Sequence, residues 1–218
     1  MHVRSDFDHR VVVRPGDYHW RSSPTPGIER MMLDRIGGEV ARATSLVRYA
    51  PGACFPSHVH GSGEEFLVLD GVFSDETGHH PAGTYVRNPP GSSHAPYTRD
   101  GCTIFVKLHQ SDPADTARVM VDTGSIDFRQ GLVPGLSVLP LHRFGTEHVA
   151  LVRWAGGTRF NAHRHWGGEE IFVVAGLFED EHGQYPAGSW IRSPHLSQHA
   201  PFSTEGCLIY VKTGHLPA

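Results

Sequence analysis

Residues 58–65 read HVHGSGEE and residues 163–170 read HRHWGGEE. Each stretch has two histidines one residue apart, a glycine-containing gap and then two glutamates. In an extended strand, side chains i and i+2 lie on one face about 6.5–7 Å apart. His58 and His60 therefore share a face, as do His163 and His165, while Val59 and Arg164 point the other way. The gap suits a tight turn, which would bring Glu64 and Glu169 back toward the imidazoles.

The surroundings repeat as well. Residues 48–107 lie over residues 153–212 without a gap, and about half of the aligned positions are identical, which marks a tandem repeat. The match continues upstream, where PGIERMMLDR (26–35) resembles PGLSVLPLHR (134–143), followed by a short insertion in the first copy. The polar, proline-interrupted stretch 109–125 reads as the connection between copies. The expected domains are residues 1–112 and 113–218. Runs such as TSLVRYA, EFLVLDGVFSDE, GTYVRNPP and CTIFVKL are rich in β-branched and aromatic residues and are bounded by turn formers. They predict short strands, and no stretch holds a helical apolar period. The fold class expected is all-β, a sandwich or jelly-roll barrel in each copy.

A further histidine recurs at matching places, His94 in PPGSSHAP and His199 in PHLSQHAP. Two imidazoles, a carboxylate and a distant third imidazole form a donor set suited to a first-row divalent ion. A lone buried histidine is more often a satisfied core residue, and the pair His79–His80 reads as an exposed turn. Four donors recurring in register favour a metal, although common descent makes the two copies dependent observations. The 17 histidines among 218 residues are a reason to look for metal and nothing more.

The spacing resembles that of the cupin superfamily. Its first motif, G-x5-HxH-x3,4-E-x6-G, is matched by Gly52, His58, His60, Glu64 and Gly71, and again by Gly157, His163, His165, Glu169 and Gly176. Its second motif, G-x5-PxGxxH, is matched by Gly83, Pro89, Gly91 and His94. The second copy keeps Gly188, Pro194 and His199 but has Leu196 in the glycine's place. GGEEIFVVAGLFEDE, PAGTYVRNPPGSSHAP and GCTIFVK are most similar to the ChrR-like cupins, the group of a zinc-binding anti-sigma factor that also contains dioxygenases of diketone-like substrates. The resemblance implies two tandem cupin β-jelly-roll barrels, a bicupin. It implies up to two divalent ions per chain (Zn, Fe, Mn or Ni), held by His58, His60, Glu64 and His94 and by His163, His165, Glu169 and His199. The anti-sigma factor carries an N-terminal helical module that binds zinc through His and Cys and grips the sigma factor. Residues 1–47 contain no cysteine, so a sigma factor is not an expected partner.

Two functions follow as expectations. The first is a metalloenzyme, dioxygenase-like, acting on a small ketone, diketone or acidic substrate. The alternative is a non-catalytic, zinc-binding sensory or regulatory cupin. A small molecule is the expected partner, and a homodimer is open to the fold. The formal net charge of −4 argues against nucleic acid, which needs concentrated Lys and Arg. No apolar run approaches the ~20 residues of a membrane span, and a cytoplasmic location is expected. Cys102 and Cys207 head apolar runs and read as buried thiols, with no disulfide framework.

Strand parity points Glu65 and Glu170 away from the metal, in a structural or surface role; a turn that rotated them inward would make them candidate general bases. Arg87 and Arg192 either anchor an anionic substrate or face solvent. Tyr85, Tyr97, Trp190 and Phe202 either line the barrels or pack in the core. Leu67 and Leu69 face outward and would be buried by packing of the repeats. Trp166, His195 and Leu196 imply that the second pocket differs in shape from the first.

Overall fold

The computed structural model describes residues 1–217. Among them are many strands, one 3-10 turn at Pro15–Asp17 and no α-helix. Among the described residues no helix is long and apolar enough to cross a membrane. The chain forms two compact units, Met1–Ser5 with His19–Ser125, and Asp6–Tyr18 with Ile126–Ala218.

In unit 1 the main antiparallel sheet runs His2–Val3, Ile28–Gly37, Ala41–Tyr49, Cys102–Leu108, Glu64–Asp75, Thr84–Asn88 and Val119–Asp122. A separate two-stranded ladder pairs His58–Val59 with Ser93–His94. Unit 2 repeats this plan with Arg129–Gln130, Leu136–Phe144, Glu147–Trp154, Cys207–Thr213, Glu169–Asp180, Trp190–Ser193 and Val11–Val13. Its small ladder pairs His163–Arg164 with Gln198–His199.

Division by repeat and division by packing are different descriptions of this chain. Val119–Asp122, inside the stretch expected to be a connection, is a strand that closes the sheet of unit 1 against Tyr85 and Arg87. Val11–Val13 occupies the equivalent place in unit 2, against Trp190 and Arg192. Each copy thus supplies an edge strand to the unit built mainly from the other copy.

Strand alternation fills each barrel. In unit 1, Ile28, Val47, Tyr49, Phe66, Val68, Phe73, Val86, Cys102, Ile104 and Val106 form one buried apolar cluster. In unit 2, Leu136, Val152, Trp154, Ile171, Val173, Phe178, Ile191, Cys207 and Ile209 form its counterpart. Burial pushes the Cys102 and Cys207 thiols up to about 11, so they act as small hydrophobes. Cys54 is exposed, and all three cysteines are free.

Both faces of the long strands are covered, and this changes several assignments. Leu67 is buried and Leu69 half-buried. Glu65 does lie opposite Glu64, but it is buried and accepts hydrogen bonds from Tyr85 Oη at 2.8 Å and Arg87 Nη1 at 3.0 Å. Arg87 also reaches Asp115 Oδ2 at 2.6 Å. Arg87 therefore neither faces solvent nor anchors a substrate, because buried carboxylates on the outer face of the sheet engage it. Glu170 is buried too, and it accepts from Trp190 Nε1 at 3.1 Å and pairs with His215 Nε2 at 2.5 Å. Arg192 is buried against the Phe7 ring and donates to the Asp6 carbonyl. Tyr85 and Trp190 thus belong to the outer face and not to the barrel lining. Tyr97 is exposed, and Phe202 lies under the Arg159 guanidinium at the surface.

Candidate metal centres

The small ladders explain why distant histidines meet. His58 and His94 are direct cross-strand partners, as are His163 and His199. His60 and His165 lie two residues on, at the start of the turn. Their backbone groups hold the second motif in place. The His60 N–H donates to Ser92 O, and the Gly91 N–H donates to His60 O, both at 2.8 Å. In the second copy the corresponding bonds are His165 N–H to Ser197 O at 3.0 Å and Leu196 N–H to His165 O at 2.9 Å. This position sits in left-handed backbone, φ +80° at Gly91 and φ +59° at Leu196. A leucine there costs about 1–2 kcal/mol, which the two-way bonding with His165 must offset.

In unit 1 the three imidazoles pack with ring centroids 4.7–4.9 Å apart. Ligand atoms of His58, His60, Glu64 and His94 all lie within 4.8 Å of one another. Glu64 Oε2 stands 3.5 Å from Nε2 of both His60 and His94. In unit 2 the group that meets the same span is His163, His165 and His199. Glu169 Oε2 lies 3.5 Å from Nε2 of His165 and of His199, so it joins two of the three rings closely. All eight residues singled out from the motifs are thus gathered into two clusters.

The donor atoms are prepared for a cation. His58 Nδ1 bonds the Pro56 carbonyl at 3.0 Å, and His163 Nδ1 bonds Asn161 O at 2.9 Å. A carbonyl only accepts, so these rings carry their proton on Nδ1 and present a lone pair at Nε2. His94 Nδ1 bonds Asp75 Oδ2 at 3.1 Å, with the same consequence. Nε2 of His60, His94, His165 and His199 is buried without a hydrogen-bond partner, as is Glu169 Oε2. Unpaired buried polar atoms are costly, and five of them converging on two points fit a divalent ion. Burial first, then neighbouring imidazoles, hold His165 down at about 3, and burial dominates at His60, down at about 4. Both are neutral at pH 7 and therefore able to ligate.

Behind the clusters the copies diverge. His80, expected in a wet turn, is buried with Nε2 3.2 Å from Asp75 Oδ1, because the Gly78–Pro81 strand turns it inward. Asp75 therefore joins His80 to His94. In unit 2, Tyr185 replaces His80 and donates to Asp180 at 2.7 Å, while Arg10 engages the same carboxylate at 2.8 Å. His199 Nδ1 is correspondingly farther from Asp180, at 3.6 Å. Asn88 donates to Glu64 Oε2 at 3.1 Å. Its counterpart opposite Glu169 is Ser193. Burial pushes the Glu169 carboxyl up to about 7. Trp166 is exposed and packs edge-on against His195, 4.8 Å between centroids.

Cavities adjoin both clusters. In unit 1 a space of about 250 Å³ reaches His58, His60 and Glu64 and is walled by Val47, Tyr49, Phe55, Ile104 and Val106. In unit 2 the space is about 130 Å³, beside His163, Glu169 and His199, with Trp154, Phe160 and Phe178 in its walls. The lining aromatics are thus not those singled out from the sequence. Phe55 and Phe160, which pack against His58 and His163 at 4.9 and 5.0 Å, could have been found as the aromatic three residues before each HxH.

Two barrels, each with a three-histidine, one-carboxylate cluster inside, define a tandem cupin. The sequence matches the ChrR cupin-like domain over residues 8–112 and 116–217, and the chain belongs to that family. Similar solved structures include a candidate dioxygenase from Nostoc punctiforme, with TM-score 0.77, 14% identity, and coverage of 94% of this chain and 82% of that one. Protein Ylba from E. coli is similar at TM-score 0.73 and 13% identity, over 98% and 94% of the two chains. The oxalate decarboxylase of Lactobacillus farciminis, in its formate complex, is similar at TM-score 0.65 and 13% identity, over 95% and 86%. At such identities the likeness is one of fold. A comparison with curated proteins found no match.

Proposed function

We propose that the protein is a cytoplasmic, divalent-metal-binding bicupin that acts as a dioxygenase-like metalloenzyme on a small ketone, diketone or acidic substrate. The observation that carries this reading is the convergence of buried, unpartnered imidazole nitrogens beside a cavity large enough for a small molecule. His58, His60, Glu64 and His94 would hold one ion, and His163, His165, Glu169 and His199 a second. Bound there, an ion would supply Lewis acidity and, where redox-active, reactivity toward oxygen.

The chain's own residues set the conditions. Pro56 O and Asp75 hold the ring protons of His58 and His94 on Nδ1. Asn88 orients Glu64. Val47, Phe55, Ile104 and Val106 exclude water from the body of a bound molecule. Three free cysteines suit a reducing compartment. The roomier cavity and the Asn88 bond to Glu64 support placing the chemistry in unit 1, with a structural or regulatory role for unit 2.

Oxygen uptake tests this reading on protein loaded with iron, manganese or nickel and offered diketones and aromatic ketones. Uptake abolished by His58→Ala but only reduced by His163→Ala is expected. Equal loss in both variants would contradict the division of labour, and no uptake with any metal would contradict the enzyme. Membership of the ChrR cupin-like family favours a second reading, a non-catalytic zinc-binding sensor. Tightly held zinc with no oxygen uptake would select it.

A further inference from the structure

Arg30, Arg35 and Glu39 line both the cavity that reaches the first cluster and an open cleft of about 500 Å³ beyond it. No motif singled them out. Their place follows from register. In the Ile28–Gly37 strand, Ile28 and Arg30 share a face and stand opposite Tyr49 and Val47, both of which wall the cavity. Tyr49 feels the Glu64 carboxylate and the Arg30 guanidinium together. A bulge between Met32 and Asp34 shifts the alternation by one residue, and Arg35, opposite Ala43, returns to the inner side.

The turn that follows is Gly38–Glu39–Val40. These three residues are the insertion that the first copy has and the second lacks, since Gly37 aligns with Gly145 and Ala41 with Thr146. Arg35 clamps the turn, with Nε donating to Gly38 O and Nη2 to Glu39 O, each at 3.0 Å. Arg30 Nη1 donates to Glu39 Oε2 at 3.1 Å. The Arg30 side chain is 19% exposed and that of Glu39 69%. An ion pair with so exposed an acid is weak and readily exchanged. Burial, and next to it the charge of Arg30, lowers the Arg35 pKa, so the two guanidiniums repel and an incoming anion relieves both. In the second copy Val138 stands opposite Val152, as Arg30 stands opposite Val47. No Arg or Lys lines that cavity among the described residues.

We propose that the unit 1 cavity selects a small organic anion with an apolar body. Arg30 binds its carboxylate at the cavity mouth, and Glu39 is the internal anion it displaces. The matching end of the unit 2 cavity takes no anion. This deepens the metalloenzyme reading and rests on it for what the ligand's other end meets. A planar guanidinium matches a carboxylate in two parallel hydrogen bonds, and apolar walls reject a strongly hydrated anion without an apolar body.

Benzoate and its neutral isostere benzamide are the probes, titrated calorimetrically into the full-length chain, metal-loaded and metal-depleted, with metal content measured alongside. Benzoate is expected to bind about tenfold tighter than benzamide, as a charge-assisted bond requires. Arg30→Val, which copies the Val138–Val152 pairing, is expected to remove that advantage while leaving benzamide affinity and metal content unchanged. Glu39→Gln is expected to tighten benzoate binding severalfold, and this second variant guards against misfolding of the first. Benzoate affinity within about twofold of wild type in Arg30→Val overturns the proposal, as does benzoate binding that needs metal and ignores Arg30. Absence of metal from the purified protein would instead count against the metalloenzyme reading, with the Arg30 comparison still readable.

Discussion

Asp75 stands behind His94, and its state decides what that imidazole offers. Burial alone would raise the Asp75 pKa, but hydrogen bonds from His80, His94 and Thr77 outweigh it and hold the carboxyl well below its usual range. The carboxylate thus keeps the His94 proton on Nδ1, the arrangement that makes a good ligand. Asp75→Asn is expected to weaken metal binding in unit 1 by about 10–100-fold, read by competition with a chelator. Asp180→Asn should do less in unit 2, where Arg10 and Tyr185 already share the carboxylate and His199 is 3.6 Å away. Equal effects at the two sites would contradict this. The eight clustered residues were legible because their spacing is local and occurs twice. Arg30 was not, because only strand pairing across the barrel brings it to line the same cavity as His58 and His60. Arg87 and Arg192 were misjudged for a related reason. Alternation says which residues share a face, but both faces here are buried, and the partner Asp115 lies 28 positions from Arg87.

Among the elements, the long strand Glu64–Asp75 ties the centre to the barrel. At Gly71, φ +71°, it passes from the Cys102–Leu108 ladder to the Gly78–Pro81 ladder, and a Cβ there would lie 2.1 Å from Gly101 O. Gly176, φ +76°, is in the same position against Gly206 O at 2.1 Å. The last glycine of the first motif is therefore required by a close backbone approach and not by the metal. Gly71→Ala is expected to cost roughly 2–4 kcal/mol in denaturant unfolding of the metal-free protein. A loss under about 0.5 kcal/mol would mean that the ladder to Cys102 shifts without strain. The strands themselves were readable from β-branched runs between turn formers. The short ladders that carry the histidines were not, since two-residue strands such as His58–Val59 have no periodicity to detect.

At the scale of the whole molecule, duplication has produced two barrels that share a plan and differ in detail. The repeat was legible at once, but the exchange of edge strands was not. Val11–Val13 and Val119–Asp122 pair with residues of the other copy, and nothing in a local apolar triplet names its partner. The differences concentrate at the clusters. Asn88, His80, Gly91 and Arg30 in one copy correspond to Ser193, Tyr185, Leu196 and Val138 in the other, and the adjoining space falls from about 250 to about 130 Å³. The lack of an Arg30 counterpart and of an Asn88-type bond in the second copy, with its smaller space, supports the proposal that unit 1 takes the ligand. The metalloenzyme reading rests on metal in these clusters. The most direct measurement is metal content per chain, by elemental analysis, of protein purified without added metal, with His58→Ala, His163→Ala and the double variant alongside. The expected result is two divalent ions per chain, one lost with each single variant and both with the double, all variants remaining folded. Protein that is folded, metal-free and unable to take up a divalent ion would contradict the account.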